Sequence, residues 1–357
     1  MLLAGLVELV RQLDSVKKMA TAAAAGPSAQ MVVGADGSQK SVLVAGLFSE
    51  LRSQSGAPAT VLVLTPTRQA AERWYEDLQQ LLGEEAVGYF PALETLPHEE
   101  VTPSVEFLGR RIDALMRLAG AGRTASVVVA EISAAAERLV PPDVLRQFVL
   151  HLRVGQQVDM QETVRLLAGA GYERQAKVQA PRQMSVRGDI LDVFPPDQTR
   201  GIRIEWFGDE IESIRYFDVE SQRSLGHLQE VVIAPARELL LTEEALSRGL
   251  EGIEQSGRRQ VERLKAAGRR QEAKRLEERI EAHLERLAST GYVEGADQYR
   301  PLFYPELPLL PEYMTHGLVV FDEPARLKER LQTAATEWTE LFDGLLERGR
   351  VLPEEMR

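Results

Sequence analysis

The chain has 357 residues, 44% of them hydrophobic and 27% charged, which gives enough apolar material for packed cores and too much length for one simple domain. It contains no cysteine, which excludes thiolate metal sites, iron–sulfur clusters and cysteine nucleophiles and fits a reducing compartment. The 42 Lys and Arg against 54 Asp and Glu leave a net charge of −12, so contact with nucleic acid or anionic lipid would need a local basic patch.

Five histidines (His98, His151, His227, His283 and His316) are scattered, with no HExxH and no pair at metal-ligating spacing, so no metal is expected. The apolar run Leu2–Leu13 is interrupted by Glu8 and Arg11 and reads as a short amphipathic helix rather than a signal peptide. No uninterrupted apolar stretch approaches about 18 residues. A cytoplasmic protein without a membrane partner is expected.

Met31–Val33 reads as a short strand entering a glycine-containing loop, and Ser41–Leu51 follows with Val42, Leu43, Leu47 and Leu51 at helical spacing. Thr60–Thr65 is a continuous apolar strand, Gln69–Leu82 a helix with Trp74 and Leu78 on one stripe, and Ala86–Phe90 a strand. Val105–Leu118 reads as a helix and Ser126–Ala130 as another buried strand. Continuous apolar strands separated by amphipathic helices point to an α/β fold with a parallel sheet covered on both faces.

The pattern changes near residue 150. Met184–Phe194, Ile202–Phe207 and Ile211–Val219 are closely spaced strand candidates with polar alternation, and Gly208-Asp209 is a glycine-first hairpin turn. They predict an antiparallel α+β insert ending around Pro235. Residues 242–289 then form a charge-rich helical stretch with an apolar seam (Val261, Leu264, Leu276, Ile280, Leu284), broken near Gly268 and read as a solvated helix pair. A proline-rich stretch, Pro301–Pro311, precedes Gly317–Asp322, which resumes the parallel-strand style, and an amphipathic helix runs from Ala325. The expected division is 1–148 and 236–357 for the two parts of the α/β domain, with 149–235 inserted between them.

Two regions could carry chemistry. Gly34-Ala35-Asp36-Gly37-Ser38-Gln39-Lys40-Ser41 stands between strand and helix, where a phosphate-binding loop belongs. Gly34, Lys40 and Ser41 fit the G-x-x-x-x-G-K-[ST] pattern, but Gln39 stands where its second glycine belongs, and a side chain there crowds the phosphates. Leu318–Glu323 has the form of a Mg²⁺-binding acidic strand end. Together they suggest a RecA-like sheet whose ATPase site is degenerate; ATP and Mg²⁺ would enter only if that loop still binds. In the insert, alternation sends Ile202, Ile204 and Trp206 to one face and Arg203, Glu205 and Phe207 to the other, with Arg187 nearby. The second face has the composition of an interaction surface. The insert's 10 Lys and Arg against 13 Asp and Glu favour a protein partner over DNA.

Gly171–Arg174, Val186–Pro195 and Arg203–Ile211 resemble domain 2 shared by the excision-repair protein UvrB and the bacterial transcription-repair coupling factors (Mfd). Phe217–Leu225, Pro235–Glu238, Glu94–Pro97 and the helix at Arg110–Leu118 look closer to the coupling factors. The chain is therefore similar to the amino-terminal UvrB-like part of that family. A divergent ATP-dependent, damage-binding UvrB is the alternative; Gln39 and the absence of any tyrosine between Tyr89 and Tyr172 speak against it, since stacking rings are what such a hairpin needs. The resemblance implies that the insert binds UvrA, the family's interface falling on Arg187, Arg203 and Phe207 with Glu205 and Trp206 beside them. It implies that RNA polymerase and DNA are contacted by other modules, and that the rest of a longer chain masks this surface in cis. It implies no catalysis by this region. Because that strand face lies outside the core, Arg203→Ala and Phe207→Ala are expected to weaken UvrA binding with little effect on thermal stability.

Overall fold

A computed structural model describes residues 2–54, 60–93, 104–122 and 126–356. Among these residues twelve strands run in chain order: β1 (Val61–Thr65), β2 (Val87–Phe90), β3 (Val127–Glu131), β4 (Leu150–Arg153), β5 (Glu173–Arg174), β6 (Gln183–Arg187), β7 (Ile190–Val193), β8 (Gly201–Phe207), β9 (Glu210–Phe217), β10 (Ser224–Leu228), β11 (Glu230–Ile233) and β12 (Leu318–Phe321). Two compact units share them. One comprises 1–92, 113–137 and 309–332; the other comprises 93–112, 138–308 and 333–357. No described helix is long and apolar enough to cross a membrane.

The first unit holds a parallel sheet in the order β12-β1-β3-β2. Every residue of β1 and β2 and the first four of β3 are buried, which is why these strands read as unbroken apolar runs. Val61, Val63, Val87, Val127 and Val129 share a core with Phe48, Trp74 and Leu78 from the helices Ser38–Gln54 and Arg68–Leu82. Thr67 starts the second of these helices, its hydroxyl accepting from the Ala70 amide at 3.2 Å.

Met31–Val33 is not a strand. Met31 and Val33 are exposed, and no ladder partner is found for the segment among the described residues. An apolar triplet without a neighbouring strand to hydrogen-bond cannot be held extended. The helix expected at Ser41–Leu51 extends three residues further at each end, as Ser38–Gln54, and the other expected elements of this unit are present within two residues of their expected ends.

The second unit carries an antiparallel sheet in the order β10-β9-β8-β7-β6, extended by β5, which pairs parallel to β6. β4 and β11 form a separate antiparallel pair. The helix Met160–Gly169 packs Val164 and Leu167 into one cluster with Leu191, Val193, Ile202, Ile204, Trp206, Ile211 and Ile214 from one face of the sheet. The expected single strand Met184–Phe194 is two, β6 and β7, because Gly188-Asp189 is a two-residue turn with Gly188 at φ +59°. It repeats the turn at Gly208-Asp209, where Gly208 sits at φ +63°. The charge-rich stretch forms two helices, Glu243–Ala266 and Arg270–Thr290, with Gly268 at φ +78° between them. The chain thus combines a RecA-like parallel-sheet fragment with an antiparallel module.

Candidate functional site

The degenerate loop makes its own contacts. Asp36 Oδ1 accepts from the Gly37 amide at 2.8 Å, and Gln39 Oε1 accepts from the Asp36 amide at 3.3 Å. These are backbone donors of the kind a phosphate-binding loop aims at its ligand, and Asp36 places a carboxylate among them. Lys40 Nζ donates to Asp322 Oδ1 at 2.7 Å and to Glu323 Oε1 at 3.3 Å, and Ser41 Oγ donates to Asp77. The second oxygen of Asp322 accepts from Trp74 Nε1 at 3.0 Å. Hydrogen bonding to Asp322 holds the Lys40 ammonium above the ordinary lysine range, against its partial burial. Gly34 and Gly37 keep left-handed backbone, φ +88° and +51°. A carboxylate thus stands among the loop's donors, and the lysine and the acid are bonded to each other. Lys40→Ala is therefore expected to lower the stability of this unit by about 1–3 kcal/mol, because buried Asp322 loses its cation. Thermal unfolding checks this, an unchanged midpoint being the contrary result.

The second site is built on β6, β7 and β8. Register places Asp192 opposite Arg203 on one side and Ser185 on the other, and Ile190 opposite Glu205 and Arg187. Alternation therefore brings Arg187, Ile190, Asp192, Arg203 and Glu205 to one face of the sheet. Ile202, Ile204 and Trp206 point the other way and are buried. A bulge between Glu205 and Trp206 in the pairing with β9 lets Ile211 stay in the core while β8 keeps its alternation.

Phe207 ends β8 and is 81% exposed. Arg187 is half-exposed and spends Nη2 on Asp192 Oδ2, at 2.8 Å. Arg203 is far more occupied. Its Nε and Nη2 donate to the two oxygens of Asp192 at 2.7 and 2.9 Å, Nη1 reaches the Gln222 carbonyl, and its guanidinium lies 4.9 Å from the centre of the Phe217 ring. Glu205 accepts from Ser213 at 2.9 Å and from Arg215. Lys177, Arg187, Ile190, Arg203 and Gln222 line a shallow cavity of about 370 Å³.

Two expectations need correction. Trp206, expected beside the partner, is only 4% exposed, and its Nε1 donates to the Val158 carbonyl at 3.0 Å. It supports the strand from the core and reaches no surface. Arg203 is not dispensable to stability: its removal leaves the fully buried Asp192 with one half-exposed cation. Arg203→Ala is expected to destabilise the antiparallel sheet by about 3 kcal/mol, read as faster hydrogen exchange of the β7 and β8 amides; unchanged protection is the contrary result. Asp192, Lys177 and Gln222 also belong to this face, beyond the residues expected there. Asp192 was legible in the in–out alternation of Ile190–Val193, but its partners depend on a register that sequence does not give. Glu94–Pro97, part of the resemblance, lies outside the described residues.

Residues 150–239 match the family model of the UvrB interaction domain, and residues 244–303 match that of the UvrB third helical domain. The chain is 28% identical, over 96% of its length, to the transcription-repair-coupling factor of Bacillus subtilis, of which it covers 28%. It is 36% identical over 60% of its length to the transcription-repair-coupling factor of Myxococcus xanthus, covering 18% of that protein. With UvrABC system protein B of Thermosipho africanus it shares 30% identity over 85% of its length, covering 46% of that relative. The chain thus spans between about a fifth and a half of these relatives. Between residues 150 and 303 it matches two successive UvrB domain families, within a chain similar over most of its length to transcription-repair-coupling factors and to UvrB.

Proposed function

We propose that this chain is a recruitment module of nucleotide excision repair, acting in transcription-coupled repair, whose antiparallel sheet binds UvrA. The observation that carries the reading is Phe207, a large aromatic left exposed at a hairpin end of the region that matches the UvrB interaction domain, on the β-strand that also bears Arg203. An apolar anchor close to fixed charges is the composition of an interface hot spot. Arg187 supplies the accessible cation, Arg203 and Glu205 the charged surround. The relatives' names, coupling factor and UvrABC system protein B, fit the same process. RNA polymerase and DNA are then engaged by modules outside this region, and the rest of a longer protein covers the face in cis until it is needed.

The RecA-like part, proposed as 1–148 with 236–357 around an insert at 149–235, serves as scaffold without turnover. Its loop bonds Lys40 to Asp322 and aims Asp36 at its own amides. The rival reading, a divergent UvrB-like ATPase, requires those contacts to give way to nucleotide. ATP turnover by the whole chain separates the two: a rate equal to that of Lys40→Ala is expected, and a rate that Lys40→Ala abolishes would favour the rival. Retention of purified UvrA by the immobilised chain tests the docking itself.

A further inference from the structure

Asp192 is fully buried yet faces the docking side of the sheet. A carboxylate in that position must be paired. Arg203 alone satisfies it, gripping both oxygens through Nε and Nη2. The bond from Arg187 is therefore more than neutralisation requires. It comes from a long, half-exposed side chain that would otherwise sample many rotamers, and it crosses diagonally from the neighbouring strand, since Arg187 pairs with Ile190 and not with Asp192. Two guanidiniums on one carboxylate leave a surplus positive charge. That charge lies along a cavity to which Lys177 adds a third cation and Ile190 an apolar wall. Gln222, held at φ +60° by its side-chain bonds to the Val178 and Val219 carbonyls, accepts from Arg203 and closes the far side.

We propose that Asp192 is a positioning residue of the docking face: it locks Arg187 to Arg203 as one preformed cationic unit that receives a carboxylate side chain of the partner. The inference rests on the docking reading above and deepens it. Holding Arg187 in place before the encounter removes the ordering that binding would otherwise require, so its effect falls on the lifetime of the complex. Arg203 and Asp192 work as a pair, and Arg187 presents the result to solvent.

The test uses the whole chain and immobilised purified UvrA. Asp192→Asn keeps the side-chain shape and makes the face more positive. It is expected to raise the dissociation rate about tenfold without slowing association or lowering the active fraction, since steering by charge persists while preorganisation is lost. A wild-type dissociation rate with reduced binding amplitude would mean a folding role only and overturns the proposal, as does no change at all. A measurement on the unaltered chain covers the case in which the variant fails to fold. The Arg187 guanidinium, followed by ¹⁵N relaxation in the free protein, is expected to be as rigid as that of Arg203; fast, unrestricted motion overturns the proposal. If Arg187→Ala and Phe207→Ala leave UvrA binding intact, the docking reading itself falls. If they weaken it while Asp192→Asn dissociates like the wild type, only the role of Asp192 falls.

Discussion

Replacing Phe207 by alanine is expected to weaken binding to UvrA by at least about 2 kcal/mol, roughly thirtyfold in Kd, while leaving the fold intact. Phe207 is 81% exposed, so truncating its side chain removes little native packing. Its backbone is well fixed. Phe207 pairs with Glu210 across the Gly208-Asp209 turn, and the adjacent Trp206 amide donates to the Asp189 carbonyl at 2.9 Å. A large apolar group on a hydrogen-bonded hairpin loses less backbone freedom when it meets a partner, which helps its burial register as affinity. Surface substitutions of this kind change stability by no more than about 0.5 kcal/mol. Calorimetric titration and thermal unfolding of the same preparation check both halves. A loss of stability equal to the loss of affinity would show that the ring supports the domain instead.

The neighbouring residue should behave in the opposite way. Trp206→Ala is expected to destabilise the antiparallel sheet by about 3–5 kcal/mol. The indole is buried in the cluster formed by Ile204, Ile211, Ile214 and the helix Met160–Gly169. Its removal opens a cavity there and leaves the Val158 carbonyl without the Nε1 donor. Native-state hydrogen exchange of β8 and β9 is the suitable readout, because a chain of two compact units need not unfold in one step. Protection unchanged in β8 and β9 would show that the core does not depend on the indole.

The inversion between these adjacent residues was legible in the sequence, since strict alternation along Ile202–Phe207 separates a buried from an open face. The continuous apolar strands β1 and β3, and the glycine-first turn at 208–209, were legible for equally local reasons. The same dipeptide at 188–189 is hidden because Met184 and Val186 before it and Ile190 after it keep period-two spacing, so Met184–Phe194 reads as one alternating strand. The helix Met160–Gly169 had a signal, Asp159 and Glu162 at capping spacing ahead of Val164 and Leu167; Asp159 does accept from the Glu162 amide at 2.6 Å. Met31–Val33 failed because strand propensity in three residues is no substitute for a neighbouring strand.

The site divides along the same line. Which residues share the face follows from period two, whereas which of them bond one another follows from register. Composition could not show that Arg203 is gripped by Asp192 and packed against Phe217 while Arg187 stays half-open. Nor could it show that Lys40 closes on Asp322, 282 residues away. Both pairings join strands or loops brought together only by the finished sheets.

The most direct measurement is a calorimetric titration of UvrA with the whole chain and with Arg187→Ala/Phe207→Ala, which alters the two exposed residues of the face and leaves the two-pronged grip of Arg203 on buried Asp192 in place. Saturable binding by the wild type and none detectable by the double variant, with both equally folded, is the predicted outcome. Equal affinity of the two proteins for UvrA would contradict the account.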